Sequence, residues 1–469
     1  MTTRTPPRPT RSDHTLITSE PSSRSVFIHR LVSLVTALLL AGVASIAIAD
    51  PLNLFEPDPA TVPSSGESDV SAAGPTADTQ PAALGSETVA GDSDDTEDDV
   101  VLDVATPTAG TRFVDLPTTR MLDTREGGAM AETASPPIDP GSSVMIEIDD
   151  VVPSPDATMI ALSVNVAMAQ GPGPITVSAG ADPIIAIDVA KAGQMTTNLV
   201  LVPWVPDEPV EVTTAGGGHL VVDLVGYFEP VAATAAGRFV PVATQRVARL
   251  VTEVDGREAV VSPLANPALP ASGASSVLLR ITADVGGEGG MVRLGQDLEA
   301  LPNTMMWAAT SGDDRTRQGV AIVSLSELDE LAFTYNGGSV LDLDVLGYFT
   351  DESALEIDSG LFTATSPVGQ VVVEVAAGQP STVNVAELLN VPADRIGAVV
   401  TNVFATAEGA GDLFVLSPAQ ERPGSATVEL GAGPRFGFTV TEVDDRGNVI
   451  VESDADASVT VVVPGYFSR

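Results

Sequence analysis

An apolar run that ends in Gly-Tyr-Phe occurs three times along this chain of 469 residues. The copies are His219–Phe228, Leu341–Phe349 and Val461–Phe467. Their glycines, at positions 226, 347 and 465, are 121 and 118 residues apart, which is the length of a small domain and far longer than a solenoid unit. The recurrence therefore predicts tandem domains of one fold, each closed by this segment.

Short runs rich in Val, Ala and Thr lie between the copies and are separated by Gly, Pro and Asp clusters such as Gly171-Pro-Gly-Pro174. Strand-length runs spaced about 8–12 residues apart are typical of an all-β sandwich or barrel. We therefore predict an all-β protein with three tandem β-sandwich domains, over residues 112–229, 238–350 and 361–469. The connections between these repeats are short, so neighbouring domains are expected to touch.

The N-terminal residues predict export. Residues 1–30 are polar and contain five arginines, and the run Leu31–Ala49 is apolar and uncharged over 19 residues, which is long enough to cross a bilayer as a helix. The run ends in Ala47-Ile48-Ala49, a small-x-small pattern suited to signal peptidase. A cleaved signal peptide and an uncleaved transmembrane anchor both remain open. In either case the basic leader is expected to be cytoplasmic, and the rest of the chain extracellular or at the cell surface.

Residues 50–111 are predicted to form a disordered acidic linker. Pro, Ser, Ala, Gly and Thr dominate this segment without any apolar period, so it cannot bury enough surface to offset its ordering entropy. The acidic run Asp92–Asp99 lacks the Gly turn and the Glu of a calcium loop, and we interpret it as part of an extended spacer.

Composition disfavours several classes of function. A formal net charge of −41 repels phosphate backbones, so nucleic acid is not an expected partner. The absence of cysteine excludes disulfides and thiolate sites, and His219 is the single histidine after the apolar run, so no multi-histidine metal site can form. We expect neither a metal nor another cofactor.

Three segments of the first repeat resemble a secreted repeat family of actinobacteria. They are Arg120-Met-Leu-Asp-Thr-Arg125, Asn165 and Val221–Phe228. That family opens with Arg-x-Leu-Asp-Thr-Arg and closes with Val-Asp-Val-x-Gly-Tyr-Phe. The second repeat keeps the ending but has Arg246-Val-Ala-Arg249 at its opening, and the third keeps Asn402 and the ending. The motif residues are Asp123, Arg125, Gly226, Tyr227, Gly347, Tyr348, Gly465 and Tyr466.

The resemblance implies a secreted or cell-surface protein with a role in wall or surface attachment, and it transfers no catalytic residue. We therefore expect a non-enzymatic envelope attachment or adhesion protein, whose partner is a cell-envelope polysaccharide or another surface protein. If the apolar run is uncleaved, the membrane is a further partner. A purely structural stalk is the alternative, and a glycan hydrolase that uses carboxylates such as Asp123 and Asp223 is a third hypothesis.

Comparison of the repeats predicts two buried ion pairs. The repeats open with Phe113, Phe239 and Phe362. Arg120 and Arg246 each lie seven residues after the opening Phe, and the third repeat has Gly369 at that count. The residue three positions before the closing Gly is Asp223 in the first repeat, Asp344 in the second and Val462 in the third.

Residues two apart in a strand share a face, so Asp223 is expected among Val221, Val225 and Tyr227, where a carboxylate is costly unless it is paired. Salt bridges Arg120–Asp223 and Arg246–Asp344 should therefore join the first and last strands of the first two repeats.

Overall fold

The computed structural model describes residues 110–125, 136–231, 234–251, 257–267, 269–270, 272–285, 289–298, 301–307, 316–337, 340–355, 357–431 and 433–469. The predicted leader (1–30), the apolar segment (31–49) and nearly all of the predicted linker lie outside them. Within the described ranges, no helix is both long and apolar enough to cross a membrane.

Within the described ranges each repeat supplies eight strands, which are numbered in chain order. The first repeat contains β1 (Thr111–Asp123), β2 (Ser142–Ile146), β3 (Met159–Ala167), β4 (Gly173–Ser178), β5 (Ile184–Val189), β6 (Thr196–Pro203), β7 (Val210–Thr214) and β8 (His219–Pro230). The second contains β9 (Phe239–Val251), β10 (Arg257–Val261), β11 (Ala274–Asp284), β12 (Gly290–Gly295), β13 (Asn303–Trp307), β14 (Thr316–Ser324), β15 (Leu331–Asn336) and β16 (Val340–Thr350). The third contains β17 (Phe362–Val375), β18 (Ser381–Asn384), β19 (Ile396–Ala407), β20 (Gly411–Leu416), β21 (Val428–Leu430), β22 (Arg435–Glu442), β23 (Asn448–Ser453) and β24 (Ala457–Ser468).

The helical elements of the described chain are short. One α-helix, α1 (Val385–Leu389), precedes β19, and two 3-10 turns cover Pro263–Ala265 and Ala393–Arg395. Asn384 caps α1 because its side chain accepts a hydrogen bond from the Glu387 N–H at 2.8 Å.

The three repeats have the same two-sheet topology. With strands counted from the start of each repeat, one sheet has the order 1-8-3-6 and the other has the order 2-7-4-5, and every pairing within a repeat is antiparallel. This order is that of an eight-stranded jelly roll, a sandwich built from two Greek keys. The prediction of an all-β protein made of β-sandwich repeats is confirmed.

Each sandwich has its own apolar core between its two sheets. Trp204 is buried in the core of the first repeat and Trp307 in that of the second. In the third repeat, the core contains Val461, Val463 and Tyr466 of β24. Burying the facing sides of two sheets is the main source of stability of such a sandwich.

A further apolar cluster joins the three repeats to one another. It is formed by residues on the outer faces of the three 1-8-3-6 sheets, and at its centre lie six phenylalanines, two from each repeat, which we call the central phenylalanine core. They are Phe113, Phe228, Phe239, Phe349, Phe362 and Phe467.

The contacts within the central phenylalanine core are cyclic. The opening Phe of each repeat packs on the closing Phe of its own repeat, with ring centroids 5.1–5.2 Å apart. The opening Phe also packs on the closing Phe of another repeat. The ring centroids are 4.3 Å apart for Phe113 and Phe349, 4.4 Å apart for Phe239 and Phe467, and 5.1 Å apart for Phe362 and Phe228. The repeats therefore surround an approximate threefold axis.

Backbone contacts complete the ring. The Phe113 N–H donates to Gly237 O and the Phe239 N–H donates to Gly360 O, each at 2.8 Å. The third junction is a bridge between Thr111 and Phe362. Thr111 was predicted to lie in the linker, but it begins β1, because it pairs there with the third repeat. The described residues accordingly belong to one compact unit.

Candidate functional site

The Gly-Tyr-Phe motif builds the central phenylalanine core. An added Cβ at Gly226 would lie 2.4 Å from Cζ of Phe113, and the equivalent distances are 2.2 Å at Gly347 and 2.3 Å at Gly465. These are closer than a real Cβ approaches any heavy atom, so glycine is needed where the opening Phe ring lies against the closing strand. The motif is therefore structural in all three repeats.

The last residues of the motif lie on the faces opposite to those predicted. Tyr227 belongs to the sandwich core of its own repeat, together with Val222 and Leu224, whereas Phe228 belongs to the central cluster. A β-bulge causes the difference, because the pairing of β3 with β8 shifts after Leu224 and breaks the two-residue period. Phe228, and not Tyr227, therefore shares the face of Asp223.

The structure brings Arg120 and Asp223 together at paired positions of β1 and β8. The Arg120 Nε–H donates to Asp223 Oδ1, and Nη1 lies 2.5 Å from Asp123 Oδ2. Arg125 approaches the same Asp123 oxygen at 2.6 Å through Nη2. The Asp123 and Asp223 side chains are 0% and 1% exposed, so the opening Arg-x-Leu-Asp-Thr-Arg segment forms a buried network with the closing strand.

The two carboxyls of this network differ in pKa. Burial alone would raise the pKa of Asp123, but hydrogen bonds and charges from Arg125 and Arg120 lower it below its usual range. Burial raises the pKa of Asp223, and its hydrogen bond from Arg120 opposes only part of that rise.

The second repeat has the equivalent network. Arg246 Nε lies 2.9 Å from Asp344 Oδ1, and Arg246 Nη1 lies 2.8 Å from Asp342 Oδ2. Arg249 approaches Asp342 at 3.7 Å and is more exposed. The pair that was predicted for this repeat is thus in contact, and it has gained a second acid from its own closing strand.

The third repeat contains neither charge, but its register differs from the sequence count. Gln370, and not Gly369, pairs with Val462, because β17 shifts register between Ala364 and Gly369. Gly369 faces α1, where an added Cβ would lie 2.6 Å from Leu389 Cδ2. Gln370 is exposed, so the third repeat has a neutral pair at the position of the ion pairs.

Both ion-pair networks adjoin the following repeat. Asp223 borders a small cavity with Leu294 and Thr304 of the second repeat. Arg246 Nη2 lies 3.4 Å from the position of a Cβ on Gly424 of the third repeat. The networks therefore connect two strands within a repeat at places where that repeat contacts its neighbour.

His219 also serves a local structural contact. Its Nδ1 lies 2.7 Å from Thr124 O and 3.3 Å from Thr124 Oγ1. Across the part of the chain that the structure describes, no group of three or more His, Asp or Glu side chains is placed to hold a metal ion.

The candidate ligand site is a pocket of about 230 Å³ to which all three repeats contribute. The sixth strands of the repeats, β6, β14 and β22, meet there, and we call it the axial pocket. Its charged lining residues are Asp188, Lys191, Arg280, Arg317, Glu429 and Arg435. Its apolar lining includes Val320, Phe436 and Phe438.

Arg280 is the most buried cation of the axial pocket. It extends from β11 of the second repeat into the third, where Nη1 donates to Ser425 O at 3.3 Å and Nη2 donates to Thr427 Oγ1 at 3.4 Å and Thr439 Oγ1 at 3.0 Å. Burial lowers its pKa to about 10, and the charge of Asp344 opposes that shift.

Sequence reasoning missed the axial pocket. Two signals were available: Lys191 is the only lysine of the chain, and Arg280 interrupts the apolar run of β11. Neither signal shows that residues from three repeats lie side by side, because that proximity depends on the packing of the repeats.

Comparisons with known proteins give structural neighbours only. No family model matches the chain, and no curated protein matches it. A chain from the atomic structure of Sulfolobus Turreted Icosahedral Virus is similar at 10% identity over 76% of this chain and 91% of that one, with a TM-score of 0.16. A chain from a study of the triple jelly roll fold and turret assembly in an archaeal virus is similar at 10% identity over 77% and 90%, also with a TM-score of 0.16. Likenesses this weak carry no argument about function, and the jelly-roll assignment rests on the strand order alone.

Proposed function

We propose that this protein is an exported, non-enzymatic binding head at the cell surface, which attaches to envelope polysaccharide or to another surface protein. The observation that carries the proposal is the axial pocket, which exists only because three repeats meet. Concave sites at the junction of domains are common places for ligands. Export rests on the arginine-rich leader and on the apolar run Leu31–Ala49.

The packing of the repeats favours a binding head over a spacer. A stalk gains length when its domains are arranged end to end with few contacts between them. Here the repeats share the central phenylalanine core, and the two connecting glycines, Gly237 and Gly360, hydrogen-bond to the opening strands of the preceding repeats. Such an arrangement is shorter than end-to-end domains would be, and it forms a rigid site from several domains.

The environment of the candidate carboxylates disfavours glycan hydrolysis. Two carboxyl groups that cleave a glycosidic bond must flank the substrate, with space for the sugar between them. Asp123 and Asp223 instead bind the same guanidinium, that of Arg120, and their side chains have almost no exposure. Substrate could reach neither acid without breaking this network.

Retention of the whole protein on purified peptidoglycan and on purified envelope polysaccharide tests the proposal. We expect retention on one of these polymers and no release of reducing sugar from either. Loss of retention in an Arg317→Gln variant, with retention kept in Arg395→Gln, would place the contact at the pocket. Arg395 is exposed and does not line the pocket, so it is the matched control. Retention on neither polymer, together with no captured surface protein, would refute the proposal.

Localisation needs a separate measurement. Protease added to intact cells should cleave residues 112–469, and mass spectrometry of the native N-terminus should distinguish a chain that begins after Ala49 from one that keeps the leader. Full protection of these residues in cells whose wall admits the protease would exclude a surface role.

A further inference from the structure

The charge of the axial pocket is opposite to that of the protein. The sequence has 63 acidic and 22 basic residues, yet four of the six charged side chains that line the pocket are cationic. The two acids are Asp188 and Glu429, so cationic side chains outnumber acidic ones two to one along the lining. The pocket is therefore a cationic site on an anionic protein, and the positive potential of such a site attracts anionic ligands.

The jelly-roll fold does not require the buried cation Arg280, which lines the axial pocket. Arg280 lies opposite Asp344 in the pairing of β11 with β16, and the equivalent position is Ser163 in the first repeat and Asn402 in the third. Those two repeats place a neutral side chain there and keep the same topology. Among the three repeats, this position is therefore charged only in the second, where its side chain lines the axial pocket.

Among the described residues, no carboxylate forms a direct ion pair with Arg280. Its three acceptors in the third repeat are neutral oxygens, and its Nε–H has no acceptor within the same described part of the chain. The nearby carboxylate of Asp344 is bound by Arg246. A buried cation without a paired anion is costly, and an anion in the adjoining pocket would reduce that cost.

The size and walls of the pocket restrict the ligand. A volume of about 230 Å³ is below the range of about 300–1,000 Å³ that is typical of sites for drug-sized molecules. The pocket thus suits one sugar-sized unit. Val320 and Phe436 offer an apolar wall, while Gln194 and Gln318 add polar side chains. This combination fits a small ring that carries hydroxyl groups and one negative charge.

We infer that the axial pocket binds an acidic sugar residue of an envelope polysaccharide, with its carboxylate or phosphate directed to the cationic wall formed by Lys191, Arg280, Arg317 and Arg435. The inference rests on the proposed function and names the chemistry of its ligand. Guanidinium groups recognise carboxylate and phosphate alike through paired N–H donors, so the shared feature is the oxyanion.

Calorimetric titration of the whole protein with three probes tests the inference: glucuronate, glucose 6-phosphate and neutral glucose. One or both acidic sugars should bind, glucose should not, and a higher salt concentration should weaken binding. A preference between the two acids identifies the anionic group. Equal binding of glucose and the acids, or no binding of either acid at millimolar concentration, would overturn the inference.

Two substitutions and one control locate the site. Arg317→Gln should weaken binding about tenfold, as expected for loss of a charge-assisted hydrogen bond, and the more exposed Lys191→Gln should weaken it about threefold. Arg395→Gln removes the same charge away from the pocket and should leave affinity unchanged. Wild-type affinity in both pocket variants, or an equal loss in the control, would contradict this location.

Retention on polymers separates this inference from the proposed function. Retention on a neutral polysaccharide, without binding of acidic sugars, would refute the acidic ligand and leave the binding head intact. Binding of the acidic probes without retention on any envelope polymer would refute the attachment role and leave the anion site intact.

Discussion

Replacing the buried ion pair of the first repeat should expose a strong energetic coupling between β1 and β8. The perturbations are Arg120→Met, Asp223→Val and the double variant, which have side chains of roughly similar volume without charge. The whole protein is used, because the repeats share a core and the first repeat is not an isolated unit.

The structure predicts unequal single losses. Removing one partner of a buried ion pair typically costs about 3–5 kcal/mol. Arg120→Met leaves the Asp223 carboxylate, 1% exposed, without a cation, and we expect a loss of about 3 kcal/mol. Asp223→Val leaves Arg120 in contact with Asp123 and 15% exposed to water, so about 2 kcal/mol is expected. The double variant leaves no orphaned partner in this pair and should lose less than the sum of the single losses, about 2 kcal/mol, which gives a coupling of about 3 kcal/mol.

Urea denaturation measures these losses, with Trp204 reporting on the first repeat and Trp307 on the second. The two signals should change together, because the repeats unfold as one unit if the central phenylalanine core couples them. Gln370→Met is the matched control at the neutral position of the third repeat, and its effect should stay within about 0.5 kcal/mol. A coupling energy below about 0.5 kcal/mol would refute the reasoning.

Two further predictions concern the motif and the acidic network. Gly465→Ala should destabilise the protein by about 1–3 kcal/mol, because its Cβ would lie 2.3 Å from Cζ of Phe362, whereas Gly409→Ala, with open space around it, should have little effect in the same melting experiment. Burial alone would raise the pKa of Asp123, but Arg125 and Arg120 lower it below the ordinary value of 3.8 in the folded protein. The carboxylate therefore stabilises the folded protein at pH values above 3.8, and this stabilisation is lost as the pH falls through the folded pKa. The stability difference between the wild type and Asp123→Asn should accordingly be full at pH 6 and shrink below about pH 4, and a difference that is independent of pH would contradict this.

The sequence could predict those parts of the fold that each repeat carries by itself. The spacing of Gly-Tyr-Phe indicates three copies, and the alternation of short apolar runs indicates strands. The pairing of Arg120 with Asp223 could be inferred because both charges are present in two repeats and absent from one. This comparison works without a structure, since the repeats serve as internal homologues of one another.

Register and packing between repeats could not be predicted in the same way. A β-bulge adds a residue without any distinctive sequence, so counting from the opening Phe gave Gly369 where the structure pairs Gln370 with Val462. The axial pocket required the packing of three sandwiches, in which Lys191 and Arg317 line the same pocket although they are 126 positions apart in the sequence. No period or spacing encodes that arrangement.

The retention of Gly-Tyr-Phe in the third repeat, where the ion pair is absent, follows from the range over which each feature acts. An ion pair joins two strands of one repeat, so its loss can be compensated locally by a neutral pair such as Gln370 and Val462. The closing Phe of each repeat packs against rings of its own repeat and of at least one other. Phe349 contacts Phe239, Phe113 and Phe467, and Phe467 contacts Phe362, Phe239 and Phe349. Loss of one closing Phe side chain would open a cavity in the central phenylalanine core, which all three repeats share. Its loss is therefore expected to destabilise the packing of the whole domain assembly, unlike the loss of an ion pair within one repeat.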